Sequence, residues 1–268
     1  MNITAYRRTS LALADLIEGT CNWRIWYVLG ISELRQRYRR SVLGPFWVTL
    51  TMAVQAAVMG FLLSFLFKLE IARYLPFLCI SLVTWNFVNN AVNEGANCFI
   101  SQGGVILQVK RPLWTYIMLT LWRNAIVYAH TVIVFFVAAV FFGLLPSRTY
   151  LLIPIGLAIL LVNVGWMALC AGLLAARFRD VPVVVQNAFN VLLWLTPVFY
   201  HPSQLSQSVR IINDVNPLTY VFEVARAPFL NEVPPLWVWI AAVGLAIIGW
   251  TVTFALFVRA RARVPYWL

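Results

Sequence analysis

The chain has 268 residues, 62% of them hydrophobic and 11% charged, and Lys and Arg exceed Asp and Glu by eleven. That composition excludes a soluble globular domain and suits one all-α membrane domain of about six spans, at roughly 20 apolar residues each. The basic residues stand at the ends of apolar runs, not across one polar face, which argues against nucleic acid as the source of the charge.

The first twenty residues carry Arg7 and Arg8 but no apolar core before a small-residue cleavage site, so no secretory signal is expected. Trp23, Tyr27, Ile31, Leu34 and Tyr38 then recur at helical spacing, opposite Arg24, Glu33, Gln36 and the arginine block of Arg35, Arg37, Arg39 and Arg40. Two readings of this amino-terminal region, 1–42, stand open. One is an amphipathic helix in the membrane interface, its arginines at lipid phosphates. The other is a basic flank with no helix of its own. Under either reading the arginines keep the amino terminus cytoplasmic. Gly44-Pro45 predicts a sharp turn into the first span.

Apolar runs predict spans at 43–67, 74–93, 112–142, 150–176, 181–200 and 236–258. The second bears Asn86, Asn89, Asn90, Asn93 and Asn97 as a largely one-sided stripe. Amides in hydrocarbon need partners, so the stripe faces other helices or a wet cavity. Residues 94–111 read as a cytoplasmic loop, and Arg123 lies where it can snorkel or meet Glu94. The fifth span carries Gln186, Asn187 and Asn190 on one face, continued by Trp194. Residues 201–232 are too polar to cross and predict an external hairpin of two short helices, with cap and first-turn chemistry at Asn216-Pro217. On this topology fifteen of the twenty Lys and Arg residues lie inside, with both termini cytoplasmic.

Chemistry is largely excluded. No Gly-Lys-Ser or Gly-Lys-Thr ends a Gly-rich loop, so this chain has no P-loop of its own. The two histidines and four scattered cysteines predict neither a metal site nor disulfides, and no nucleophile stands beside a base. No catalytic residue is expected, and energy for any transport must come from a partner. Trp47, Trp85, Trp194, Phe199 and Tyr200 sit near span ends, as an aromatic belt or as faces of a conduit that meets sugar rings.

Several stretches carry a family resemblance. They are Arg37 to Trp47, Gly95-Ala96-Asn97 through Gln108-Val109-Lys110-Arg111-Pro112-Leu113, Arg177-Phe178-Arg179-Asp180-Val181, Leu195 to Tyr200, and Asn216-Pro217-Leu218 with Arg226. In this order they resemble the membrane subunits of ABC-2 type polysaccharide exporters of the Wzm kind, which serve O-antigen, capsule and teichoic-acid export. The resemblance implies a homodimer in the bacterial inner membrane with two copies of a separate ABC ATPase, which would hold the ATP and Mg. It implies an undecaprenyl-type lipid-linked glycan as substrate, and a hairpin folded as two gate helices. It further implies that Ser101, Gln102, Gly103, Lys110 and Arg111 meet the ATPase. Arg35, Arg37, Arg39 and Arg40 would stand where a pyrophosphate-linked substrate gains access. A polymer path along the first and fifth spans would be lined by Trp47, Gln186, Asn187, Asn190, Trp194 and Tyr200. An ABC-2 exporter of a drug or simple lipid, and a membrane-embedded enzyme or assembly protein, are the alternatives.

Overall fold

A computed structural model describes residues 3–44, 46–201, 211 and 213–268, and every regular element among them is helical. Five helices are long and apolar enough to cross a membrane. These are α3 (Phe46–Phe67), α4 (Ile71–Ser101), α6 (Leu113–Phe141), α7 (Ile153–Arg177), extended by a 3-10 turn at Arg148–Leu152, and α10 (Leu236–Ala260). The remaining described α-helices are α1 (Ile3–Cys21), α2 (Trp23–Arg37), α5 (Gly103–Gln108), α8 (Val181–Leu195), α9 (Pro217–Arg226) and α11 (Val264–Trp267). The bundle has a basic end, with α1, α2, α5, α11 and the α7–α8 loop, and a hairpin end, with α9.

The centre is α4. Its 31 residues rise about 46 Å, well beyond a hydrocarbon core of about 30 Å, and most of its span is buried. It runs on through 94–101, where a loop was expected. Glu94 and Gly95 look like a helix stop in sequence, but here they are packing residues. A Cβ on Gly95 would lie 2.6 Å from the Ala168 Cβ, and one on Gly172 would lie 2.8 Å from the Gly95 carbonyl oxygen. Small residues thus bring α4 and α7 into close backbone contact, the usual way helices associate where lipid removes the hydrophobic drive. The break comes at Gln102, followed by the single short helix α5.

Three further differences from expectation have local causes. The first span begins at Phe46, not Leu43, because Arg40 and Gly44 take left-handed backbone angles and Ser41 Oγ accepts from the Gly44 N–H. Pro45 lies outside the described residues. The fifth apolar run stops as a helix at Leu195, because Pro197 forces Thr196 into extended backbone. Its 15 residues rise only about 22 Å. Third, α9 is not a surface helix. Asn216 caps it as expected, Oδ1 accepting from the Leu218 N–H at 3.1 Å, but its body packs against α7, α10 and α4. The first half of the hairpin, including Arg210, lies outside the described residues.

Candidate functional site: the basic end, the α3–α4–α6 cavity and the exposed face of α8

At the basic end the amino-terminal region is two helices, and both dock on α6. On α1 the line Ala12, Asp15, Gly19 is buried. Asp15 accepts from the Trp114 backbone N–H at 3.1 Å and pairs with Arg261 Nε at 2.6 Å, while Thr20 accepts from Trp114 Nε1 at 2.9 Å. A side chain 99 residues away thereby serves one of the first N–H groups of α6, which Pro112 leaves uncapped. The sequence around Asp15 carries only one signal of this. The signal was a lone acid on a line of small residues.

On α2 the buried residues are Gly30 and Leu34, against Trp122 and its neighbours. Trp23 and Tyr27, expected on the same apolar line as Leu34, are exposed on the surface of the chain, with the Tyr27 ring 5.2 Å from that of Trp122. The helix ends at Arg37, so the arginine block divides. All four are exposed, but only Arg37 reaches a carboxylate among the described residues, Glu94 at 3.3 Å. Glu94 also takes Arg123 at 2.7 Å and the Asn124 amide at 2.7 Å, and the other guanidinium nitrogen of Arg123 grips Glu33. The Arg123–Glu94 meeting is as the sequence suggested. Glu33 was missed, because its partner lies 90 positions away.

The residues expected at an ATPase share this end. Gln102 donates to Glu33 at 3.4 Å, Ser101 Oγ turns back to the Cys98 carbonyl, and buried Gly103 packs on Leu268. Lys110 and Arg111 are exposed beyond α5. In the α7–α8 loop Arg179 donates to the carbonyls of Trp267 and Leu268 at 3.1 and 3.3 Å, so α5, α11 and that loop form one surface.

The asparagine stripe lies on the less buried side of α4. Asn93 donates to Asn89 and Asn97 to the Asn93 carbonyl, both within the helix, while Asn86 Nδ2 touches Met52 Sδ at 2.9 Å. Beside it a cavity of about 370 Å³ opens between α3, α4 and α6, with Trp47, Gln55, Asn86 and Asn90 in its wall.

Against α4 on another side, α8 buries only Phe189, which meets Trp85 at 5.8 Å between ring centroids. Gln186, Asn187, Asn190 and Trp194 are all exposed. A single chain therefore does not bring Trp47 together with the α8 amides. Tyr200 is turned inward, its hydroxyl within 3.0 Å of Asn213 Oδ1 and 3.3 Å of the Trp194 carbonyl.

The hairpin end holds Arg226, 1% exposed. It donates to the Pro197 carbonyl at 2.6 Å and Ser81 at 3.2 Å, pairs with Glu223 at 2.5 Å, and lies over Phe77 at 4.6 Å. It thus ties the broken end of α8 to α9 and α4. Sequence reasoning had counted it as an outside charge. Nearby, the hydrogen bond with His201 holds the Glu232 carboxyl below its ordinary range, helped by the positive charge of Arg226 and opposed by burial.

The profile of the ABC-2 type transporter family matches residues 25–230. The chain is similar to the O-antigen export system permease protein RfbA of Klebsiella pneumoniae, at 23% identity over 208 residues, 76% of this chain and 79% of that protein. It is also similar to the RfbA protein of Myxococcus xanthus, at 24% over 208 residues, 75% and 78% of the two chains. With the family profile spanning most of a chain of membrane-length apolar helices, the protein belongs to the ABC-2 type transporter family as a multi-pass membrane protein.

Proposed function

We propose that this chain is the membrane subunit of an ATP-driven exporter that moves a lipid-linked polysaccharide, of the O-antigen or capsular kind, across the bacterial inner membrane. It works as a homodimer with two copies of a separate ABC ATPase, which carry the ATP and Mg, and both its termini are cytoplasmic. The short helix α8 with 196–200 makes the fifth of six crossings, and α9 is one of two gate helices at the external end.

The observation that carries this reading is the exposed amide face of α8 (Gln186, Asn187 and Asn190). Amides within a membrane require polar or wet neighbours. Among the described residues one chain supplies none for this face, so a second copy closes it into a path. The family and the relatives named as O-antigen permeases support a glycan as the cargo. Exposed Arg35, Arg39 and Arg40 suit a phosphate-bearing lipid carrier at the inner surface.

Deleting the gene in its host should remove surface glycan and leave the lipid-linked glycan inside the cell. Reversing both Lys110 and Arg111 to Glu should lower export and glycan-stimulated ATP hydrolysis at least several-fold, with the protein still in the membrane. Surface glycan that persists in the deletion strain would overturn the reading. So would an unchanged export rate in the charge-reversed protein, as far as the coupling role goes.

A further inference from the structure

The structure assigns a second glycan contact outside the α8 face: we propose that the α3–α4–α6 cavity is a recognition site for one neutral sugar unit of the substrate, read by Gln55, Asn86 and Asn90 with Trp47 at its edge. This rests on the reading of the chain as a glycan exporter and adds where within one protomer a sugar is held.

Three observations carry it. The first is size: about 370 Å³ falls within the range of small-ligand sites, roughly 300–1,000 Å³. The second is charge. No Asp, Glu, His, Lys or Arg lines the cavity among the described residues, which disfavours a phosphate, a carboxylate or a cation as occupant. The larger cavity at the hairpin end, about 740 Å³, is different, since Glu70, Arg73, His201 and Glu232 line it. The third is unspent hydrogen bonding. Asn90 makes no hydrogen bond among the described residues, and Gln55 reaches only the Met59 sulfur at 4.0 Å. Asn86 likewise has only a sulfur, that of Met52. Thioethers are weak acceptors, so the amide oxygens and most of the N–H groups stay available.

These groups match a pyranose. Each amide offers donors and an acceptor, and each sugar hydroxyl is both. Trp47 presents a half-exposed aromatic face for the ring's C–H groups. A hydrocarbon chain would leave the amides unsatisfied, at a cost that a polar occupant avoids. From Trp47 to Gln55 the wall climbs about 12 Å along α3, about two sugar units or fewer.

The test uses the permease with its ATPase in nanodiscs and two photoreactive probes with the same octyl chain. One carries a diazirine on a β-glucoside head, the other on a phosphocholine head. The glucoside probe should label peptides containing 47–55 and 83–90, and excess octyl glucoside should compete. Asn90→Leu and Gln55→Leu, both at exposed positions, should each cut that labelling at least fivefold while the complex stays assembled. Equal labelling by the phosphocholine probe would overturn the proposal in favour of a lipid site. Absent labelling would also overturn it, leaving the cavity to water or the second copy. So would labelling unchanged in both variants. If labelling fails while surface glycan still depends on this chain, only the site falls. If labelling succeeds while surface glycan is independent of the chain, the export reading falls.

Discussion

Asp15 shows what a single side chain contributes here. It is almost fully buried, yet it satisfies an orphan N–H at the start of α6 and the charge of Arg261 beyond α10. Removing one member of a buried pair typically costs about 3–5 kcal/mol. Arg261 is one-third exposed, which lowers the cost. Asp15→Asn keeps an acceptor for Trp114 and removes only the charge, so a loss of about 2 kcal/mol is expected. Thermal unfolding of the purified protein, with protease cleavage of α1 as a second reading, measures it. A shift within error of wild type would mean that α1 is held by apolar contact alone. Arg226 is the matching case at the hairpin end. Its guanidinium is stabilised by Glu223, two oxygen acceptors and the face of Phe77, so burial there needs no membrane-exposed charge.

Among the elements, α9 is the one whose position depends most on a neighbour's lack of a side chain. A Cβ on Gly156 would lie 2.1 Å from the Val224 carbonyl oxygen, and that oxygen belongs to helix backbone and cannot rotate aside. Gly156→Ala should therefore push α9 away from α7 and destabilise the protein by about 1–3 kcal/mol. Gly104→Ala, where a Cβ meets nothing within 4 Å, should be neutral or slightly stabilising. Unfolding midpoints of the two variants decide it, and equal midpoints would show that α9 sits loosely. The ionic cluster of Glu33, Arg37, Glu94 and Arg123 acts at the same scale, joining α2, α4 and α6.

For the whole molecule, the asymmetry that bears on the proposed path is between exposed faces that carry amides and exposed faces that carry none. Both α8 and α10 are exposed in one chain, but α8 shows amides and α10 shows Ile240, Ile247 and Val252. In a background lacking the four native cysteines, Asn190→Cys should react with a water-soluble thiol reagent while the transporter turns over. Val252→Cys should not. An unreactive Asn190→Cys in resting and cycling states alike would remove α8 from the path.

Much of this protein follows from its sequence alone. The apolar runs locate α3, α6, α7 and α10 because hydrocarbon admits only segments that satisfy their own backbone, and Asn216-Pro217 starts α9 wherever it lies. What the linear pattern left open was decided by contacts between distant residues. Gly95 reads as a stop until Ala168 meets it, and Arg226 reads as an outside charge until Phe77 and Pro197 enclose it. Glu33 reads as part of a polar helix face until Arg123 on α6 meets it, and Asp15 finds its role only where α6 begins. Periodicity reports which side of a helix is apolar, but the partner of a polar group is a matter of tertiary distance, and in a membrane domain that partner determines where the polar group is able to sit.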